Sequence, residues 1–508
     1  MNLSQILYET AEKYPRKTAV IFEEHYYSFK HIADLIRIYA KLLKDIGVKK
    51  GDRVALQLPK SVDMILLHLA NLSVGGITLP LNTGYKSDEV EYFLNNSQSS
   101  LLVTYEANYL RLKPVIDSVP RLKCMLADGE EHDDIIFLPT EKSKIRNPDE
   151  PEFPAHNDDI AMICYTSGTT GRSKGAMITH NNLVCNMKAL KHAWQWTDND
   201  ILLHVLPLFH IHGLVVALHG SLNAGSTMLV HETFDPLRVW NTIEERKCTM
   251  LMGVPTMYHR LLNQWNTFRK KPDISSMRVF ISGSAPLSEK DFKGFRDATG
   301  HTVLERYGMT ETGMNTSNMF EVSGRKAKSA GFPLSGIELR VAEEDGEDVV
   351  PGRVGEVWIK GGNVFKGYWQ MSEKTEESFT DGWFKTGDLG YQDPDDRMRL
   401  YLVGRSKELI ITGGYNVYPK EVENVTDQYE NVEESAVIGL PDEDFGEKTA
   451  AVVVLADKAK PVSAEEIILF CKDNLADYKC PKVVFFRDEL PRNAMGKVQK
   501  QILKNEYE

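Results

Sequence analysis

The sequence predicts an α/β protein. A large N-terminal domain of layered α/β subdomains, with a β-rich subdomain, is followed by a small α+β C-terminal domain. Short apolar runs bounded by turn residues (RVALQL, SLLVTY, AMICYT, TMLVH, RVFISG) alternate with helix-length segments, which points to largely parallel strands in α/β layers. After about residue 340 the texture changes, and ELRVAEEDGEDVVPGRVGEVWIKGG reads as strands joined by acidic, Gly- and Pro-containing turns. Beyond LVGRSKELI, the runs ESAVIGLP, AAVVVLAD and VVFFRDEL with a helix near 464–475 read as a compact α+β unit. These shifts divide the chain into 1–406 and 407–508.

Each element has a local signal. Residues 3–14 carry Leu3, Ile6, Leu7 and Ala11 at helical spacing, and residues 30–47 do the same with Ile32, Leu35, Ile36, Tyr39, Leu42 and Leu43. The most apolar stretch, 61–81, contains Asp63, His68, Asn71, Gly75 and Gly76 and breaks at Pro80. It reads as a buried helix entering a strand and not as a membrane span. Residues 139–158, rich in Pro, Asp, Glu, Lys and Asn, read as a connector.

The bulk properties exclude several classes. In 508 residues, 42% are hydrophobic and 26% charged, a globular composition with no low-complexity tract or repeat. A net charge of −12 argues against a nucleic-acid or anionic-membrane surface. The six cysteines form no CxxC pair, so reduced thiols in a cytoplasmic protein are expected. The N-terminus lacks the basic-then-apolar order of a signal peptide. Monomer and homodimer stay open.

Chemistry concentrates in YTSGTTGRSKG at 165–175. Gly168, Gly171 and Gly175 let backbone amides turn toward an anion. Thr166, Ser167, Thr169 and Thr170 offer hydroxyls, and Arg172 and Lys174 offer charge. The Walker pattern is absent, because Lys174 is followed by Gly175 and not by Ser or Thr.

This segment resembles the signature of the adenylate-forming superfamily, which includes acyl-CoA synthetases, firefly luciferase and the adenylation domains of peptide synthetases. The likeness continues in order through LPLFHIHGL (206–214), SGSAPL (282–287), YGMTE (307–311), GWFKTGDLG (382–390), GRSKELI (404–410) and PRNAMGKV (491–498). It implies an ATP- and Mg²⁺-dependent enzyme that activates a carboxylic acid as an acyl-adenylate and transfers it to coenzyme A. The β- and γ-phosphates would then sit on Thr166, Ser167, Gly168, Thr169, Thr170, Gly171 and Lys174. Ser284, Ala285, Pro286, Glu305, Arg306, Tyr307 and Gly308 would bound the nucleotide, with Tyr307 against adenine. Thr310 would bond the α-phosphate, and Glu311, with Thr170, would hold Mg²⁺. A lone Glu311 could equally be an acid at a helix N-terminus.

Asp388 and Arg405 would take the ribose, or simply pair with each other. Lys497 would enter the site for adenylation. Lys407 would be the hinge of a mobile C-terminal domain, and Gly413, Gly414 and Tyr415 would face the coenzyme A channel. In the family a histidine or aromatic residue at the position of His210 gates the carboxylate, and His212 and Met309 would border the acid; either histidine could instead be a hydrogen-bonded core residue.

Many relatives that take fatty or aryl acids have Gly where this chain has Arg306. A buried guanidinium needs a partner, and a second substrate carboxylate would supply one bidentately. LERYGMTETGMNTSN, NVFKGYW and GGYNVYPKE also resemble malonyl-CoA synthetases. A small dicarboxylate, malonate with methylmalonate tolerated, is therefore expected. A medium-chain fatty or aryl acid, loading of a separate carrier protein, and an Arg306–Glu305 pair are the alternatives.

Overall fold

The computed structural model describes residues 2–129, 135–138, 152–166, 173–493 and 496–508. Helix Leu3–Lys13 starts at a reciprocal cap between Asn2 and Gln5 and buries Leu3, Ile6, Leu7 and Ala11. Helix Phe29–Asp45 is capped by Ser28 and buries the predicted Ile32, Leu35, Ile36 and Tyr39. The stretch at 61–81 folds as the helix Val62–Ser73, buried except at Asp63, running into the strand Ile77–Pro80. Among the described residues no helix is long and apolar enough to cross a membrane. All six cysteines are free thiols.

One sheet has seven strands, in the order Ile136–Phe137, Lys123–Leu126, Leu101–Thr104, Arg53–Leu56, Ile77–Pro80, Ile160–Thr166 and Lys174–Thr179. Its pairs are parallel except the last, an antiparallel hairpin whose connection is the hydroxyl-rich segment. Residues 167–172 of that segment, and 139–151 of the predicted connector, lie outside the described residues.

A second sheet runs through fourteen strands. Its parallel part is Thr18–Phe22, Thr227–Val230, Ile201–His204, Met250–Gly253, Val279–Ser282 and Leu304–Met309. The chain leaves Ile201–His204 first to one side and then to the other, so strand order reverses there. The carboxyl end of such a switch point is where open α/β sheets take ligands.

From Gly313 the pairing is antiparallel, through Gly313–Ser317, Ser329–Pro333, Arg399–Arg405, Trp383–Asp393, Gly355–Gly361 and Ile337–Ala342. The β-rich part thus begins before residue 340 and hydrogen-bonds into the main sheet instead of standing apart. The acidic turns seen in the sequence mark only its outer hairpin.

A third sheet of five strands starts at Ile410: Tyr415–Val417, Ile410–Thr412, Gly446–Leu455 and Val432–Asp442, with Val483–Arg487 beside Gly446–Leu455. Its core, including Val417, Val422, Val437, Val453 and Ile467, is separate from those of the larger sheets.

Candidate active site

A cavity of about 810 Å³ opens at the carboxyl ends of the parallel strands and extends along the seam with the five-stranded unit. Leu206 and Pro207 follow the strand Ile201–His204, Val254 to Met257 follow Met250–Gly253, and Ser284 to Pro286 follow Val279–Ser282. The antiparallel strands add Asp388 and Arg405, and the C-terminal unit adds Lys497. Leu206, Val254 and Ser284 are far apart in sequence but converge because each follows a parallel strand at one rim.

The hairpin of Leu304–Met309 and Gly313–Ser317 carries seven of the predicted residues, Glu305 to Glu311. A Cβ on Gly308 would stand 2.1 Å from the Gly313 carbonyl oxygen, so only glycine lets the strands cross that closely. Thr310 and Glu311 form its turn, not the start of a helix.

Alternation along the strand sends Glu305 and Arg306 to opposite sides, so they do not pair with each other. Glu305 Oε1 accepts from Leu287 N at 3.1 Å, and Oε2 is buried with no hydrogen-bond partner among the described residues. Burial pushes its carboxyl up to about 8. Arg306 is 3% exposed, and its Nε and Nη2 have no hydrogen-bond partner among the described residues. Loss of solvation pulls it down to about 9. Its guanidinium lies on Gly283, where a Cβ would be 2.3 Å from Cζ.

Asp388 accepts from the Tyr307 hydroxyl at 2.6 Å through Oδ2 and pairs with Arg405 Nε at 2.9 Å through Oδ1. The predicted Asp388–Arg405 contact is therefore made, and it also anchors the Tyr307 ring. Each carboxylate oxygen has two lone-pair sites, so Asp388 keeps room for two hydroxyl donors.

Glu311 is buried, and its Oε1 accepts from the Tyr368 hydroxyl at 3.0 Å. Burial raises its carboxyl above the usual range, so a cation beside it would be welcome. Lys174 Nζ sits over the Tyr368 ring, 4.6 Å from its centre. Burial and then Lys407 lower the Lys174 ammonium, opposed by Glu311. Among the described residues, no group of three or more His, Cys, Asp or Glu is placed to hold a metal ion. A single buried carboxylate is nevertheless a donor Mg²⁺ accepts when it rides on a nucleotide's phosphates.

Lys497 faces the cavity, and burial and then Arg405 lower its ammonium, with Glu408 and Asp388 opposing. His210 and His212 do not line this cavity. The Arg306 charge nevertheless reaches both: burial and then Arg306 take His210 down to about 4 and His212 well below the usual range. His212 Nδ1 lies 3.3 Å from Ser284 Oγ, on the cavity wall. Ser284 has φ +72°, a left-handed backbone uncommon outside glycine and frequent at functional sites.

Met309 packs with Ala176, Phe365 and Tyr368 instead of lining the cavity. Lys407 is exposed on the short turn Ser406–Glu408. Gly413 and Gly414 turn the hairpin of Ile410–Thr412 and Tyr415–Val417, whose exposed Tyr415 stacks near Tyr478 outside this cavity. Ser167 to Gly171 lie outside the described residues. Sequence reasoning missed Tyr368, which holds Glu311 and floors Lys174; its only signal was its place in NVFKGYW.

Residues 7–369 match the model of the AMP-binding enzyme family, and residues 421–497 match the AMP-binding enzyme C-terminal domain. The chain belongs to the AMP-binding enzyme family. Over 91% of this chain and 83% of the relative, it is 36% identical to a mitochondrial malonate–CoA ligase of Mus musculus. A long-chain-fatty-acid–CoA ligase of Bacillus subtilis is 32% identical over 100% of this chain and 95% of its own. The crystal structure of ATP-bound MatB from Rhodopseudomonas palustris superposes with TM-score 0.92 at 40% identity, covering 100% and 99% of the two chains. This AMP-binding enzyme is an ATP-dependent, AMP-forming acid–CoA ligase that uses Mg²⁺, with coenzyme A as acyl acceptor.

Proposed function

We propose that the chain activates malonate, with methylmalonate tolerated, and converts it to the coenzyme A thioester. A carboxylate oxygen of the acid attacks the α-phosphorus of ATP, the α-phosphorus bond to the bridging oxygen breaks, and pyrophosphate leaves. The thiol of coenzyme A then attacks the acyl carbon, the bond to AMP breaks, and the thiol proton passes to solvent.

Two anions must approach in the first step, so positioned cations and amides carry the catalysis. Lys497 neutralises the carboxylate and the α-phosphate. Thr310 bonds the α-phosphate, and Thr166, Lys174 and the segment 167–171 hold the β- and γ-phosphates. Glu311, with Thr170, would hold Mg²⁺, which when bound would supply positive charge at the phosphates. Ser284 to Pro286, Glu305, Tyr307 and Gly308 bound the adenine, and Asp388 and Arg405 take the ribose. Lys407 serves as the hinge, and Gly413, Gly414 and Tyr415 face coenzyme A. Six free thiols suit a reducing compartment such as the cytoplasm.

The observation that carries the choice of acid is Arg306, a buried guanidinium whose Nε and Nη2 lack hydrogen-bond partners among the described residues, on the wall of the cavity. A second carboxylate satisfies it; a fatty or aryl tail would leave it desolvated and alone. The likeness to the murine malonate–CoA ligase supports the same reading. The test is pyrophosphate release and thioester formation with malonate, methylmalonate, succinate, acetate and octanoate. Faster turnover on octanoate than on malonate defeats the proposal, and acyl transfer to a carrier protein but not to coenzyme A would make the chain a carrier-loading enzyme.

A further inference from the structure

The seam between the five-stranded unit and the larger body is held by a few polar contacts around His259. Its Nδ1 stands 3.0 Å from Asp291 Oδ1 of the same body, and its Nε2 stands 3.5 Å from Glu433 Oε1 across the seam. Nε2 has a second partner, Asn263 Nδ2 at 3.0 Å. Beside it, Lys290 Nζ donates to the Val432 carbonyl at 3.0 Å. Gly496, next to Lys497, packs close to Thr256, one turn before His259 on the helix Pro255–Thr267. Glu434 pairs with Arg492 of the loop that carries Lys497.

We infer that His259 and Glu433 form a proton-dependent latch that seats the C-terminal unit with Lys497 in the cavity, so that the adenylation step depends on this pair and acyl transfer to coenzyme A does not. The latch rests on the assignment of Lys497 to adenylation. A charged imidazole donates from both nitrogens, to Asp291 and to Glu433, and closes the seam. A neutral ring keeps its proton on Nδ1 for Asp291 and accepts from Asn263, which releases Glu433.

The groups facing His259 are Asp291 and Asn263 on its own body, Glu433 and Glu434 across the seam, and the cations Lys290 and Arg492 at its edges. Asp291, then Glu433 and Glu434, favour the charged ring. Undocking removes the two glutamates, so the seated arrangement binds the proton more tightly. It is favoured at low pH and loosens as pH rises through the histidine range.

The test separates the half-reactions. Adenylation is read by pyrophosphate exchange into ATP, and transfer by supplying synthetic acyl-adenylate and coenzyme A. Glu433→Gln, at an exposed position that leaves folding intact, and His259→Gln each reduce exchange about two- to five-fold, the size of one partly exposed ion pair, and leave transfer unchanged. Exchange in the parent chain declines between pH 6 and 8.5 and is flat in both variants. His259→Lys, which keeps a cation, restores exchange without that decline. Equal losses in both steps, or no loss in either, overturn the latch. Lys497→Ala is the separate control: exchange retained there overturns the role of Lys497 itself, whatever the latch variants do.

Discussion

Replacing Arg306 by Met should make the protein more stable and a worse malonate enzyme. The guanidinium is 3% exposed, and two of its nitrogens lack hydrogen-bond partners among the described residues. Burial pulls it down to about 9, a folded-state cost worth roughly 4–5 kcal/mol at about 1.4 kcal/mol per pK unit and less once the site relaxes. Met fills similar space without charge, so a gain of about 1–3 kcal/mol in unfolding free energy is expected. A bound second carboxylate would recover the buried charge's cost. Without its partner that carboxylate loses about 2–5 kcal/mol, a fall in kcat/KM for malonate of about 30-fold to several thousand-fold. Acetate, which has no second carboxylate, should lose far less. Chemical denaturation and steady-state kinetics on both acids provide the readings. An unchanged kcat/KM for malonate refutes the assignment, and a destabilised Arg306→Met chain with normal kinetics would show that Arg306 is a structural cation.

Three further outcomes follow from the geometry. Lys497→Ala should lose adenylation by about 100-fold or more while transfer from supplied acyl-adenylate survives, because one positioned charge at the phosphate supplies about 3 kcal/mol or more. Asp388→Asn removes the charge that holds both Arg405 and the Tyr307 hydroxyl. The KM for ATP should rise by about tenfold or more, with a loss of about 1–3 kcal/mol in stability by denaturant titration. Glu305 and Asp427 are raised by burial to about 8 and about 7. The folded chain therefore holds their protons more tightly than the unfolded one, and their stabilising effect fades as pH rises, from about 4 to 7 for Asp427 and from about 4.5 to 8 for Glu305, at up to about 1.4 kcal/mol per pH unit per group. Glu305→Gln should remove its own share, flattening the decline between about pH 7 and 8 while Asp427's part below 7 remains, and leave the chain more stable than the parent at pH 9.

The fold was legible wherever local signals were strong. Helix Leu3–Lys13 and strand Ile160–Thr166 stand where apolar spacing put them. The stretch at 61–81 was readable because Gly75, Gly76 and Pro80 punctuate it. The extent of the antiparallel region was not, since the strand Gly313–Ser317 is short, polar and buried and shows no alternation to read. Motif residues were visible as motifs, but their pairings were not. Tyr307 meets Asp388, and Tyr368 meets Glu311, only after strands distant in sequence lie side by side. Nothing local distinguishes His259 or Glu433 from other surface polar residues; the seam that joins them exists only in three dimensions.

The hairpin with Gly308 at its crossing point has a consequence for how such enzymes diversify. One stiff ribbon carries the side chain proposed to select the acid and, within five positions, those proposed to grip the nucleotide. Sliding or bending it to suit a new acid would disturb both ends together. New acid preferences are therefore more easily reached by exchanging the single side chain at 306 than by remodelling the backbone beneath it, which leaves the ATP chemistry inherited intact while the menu of acids drifts.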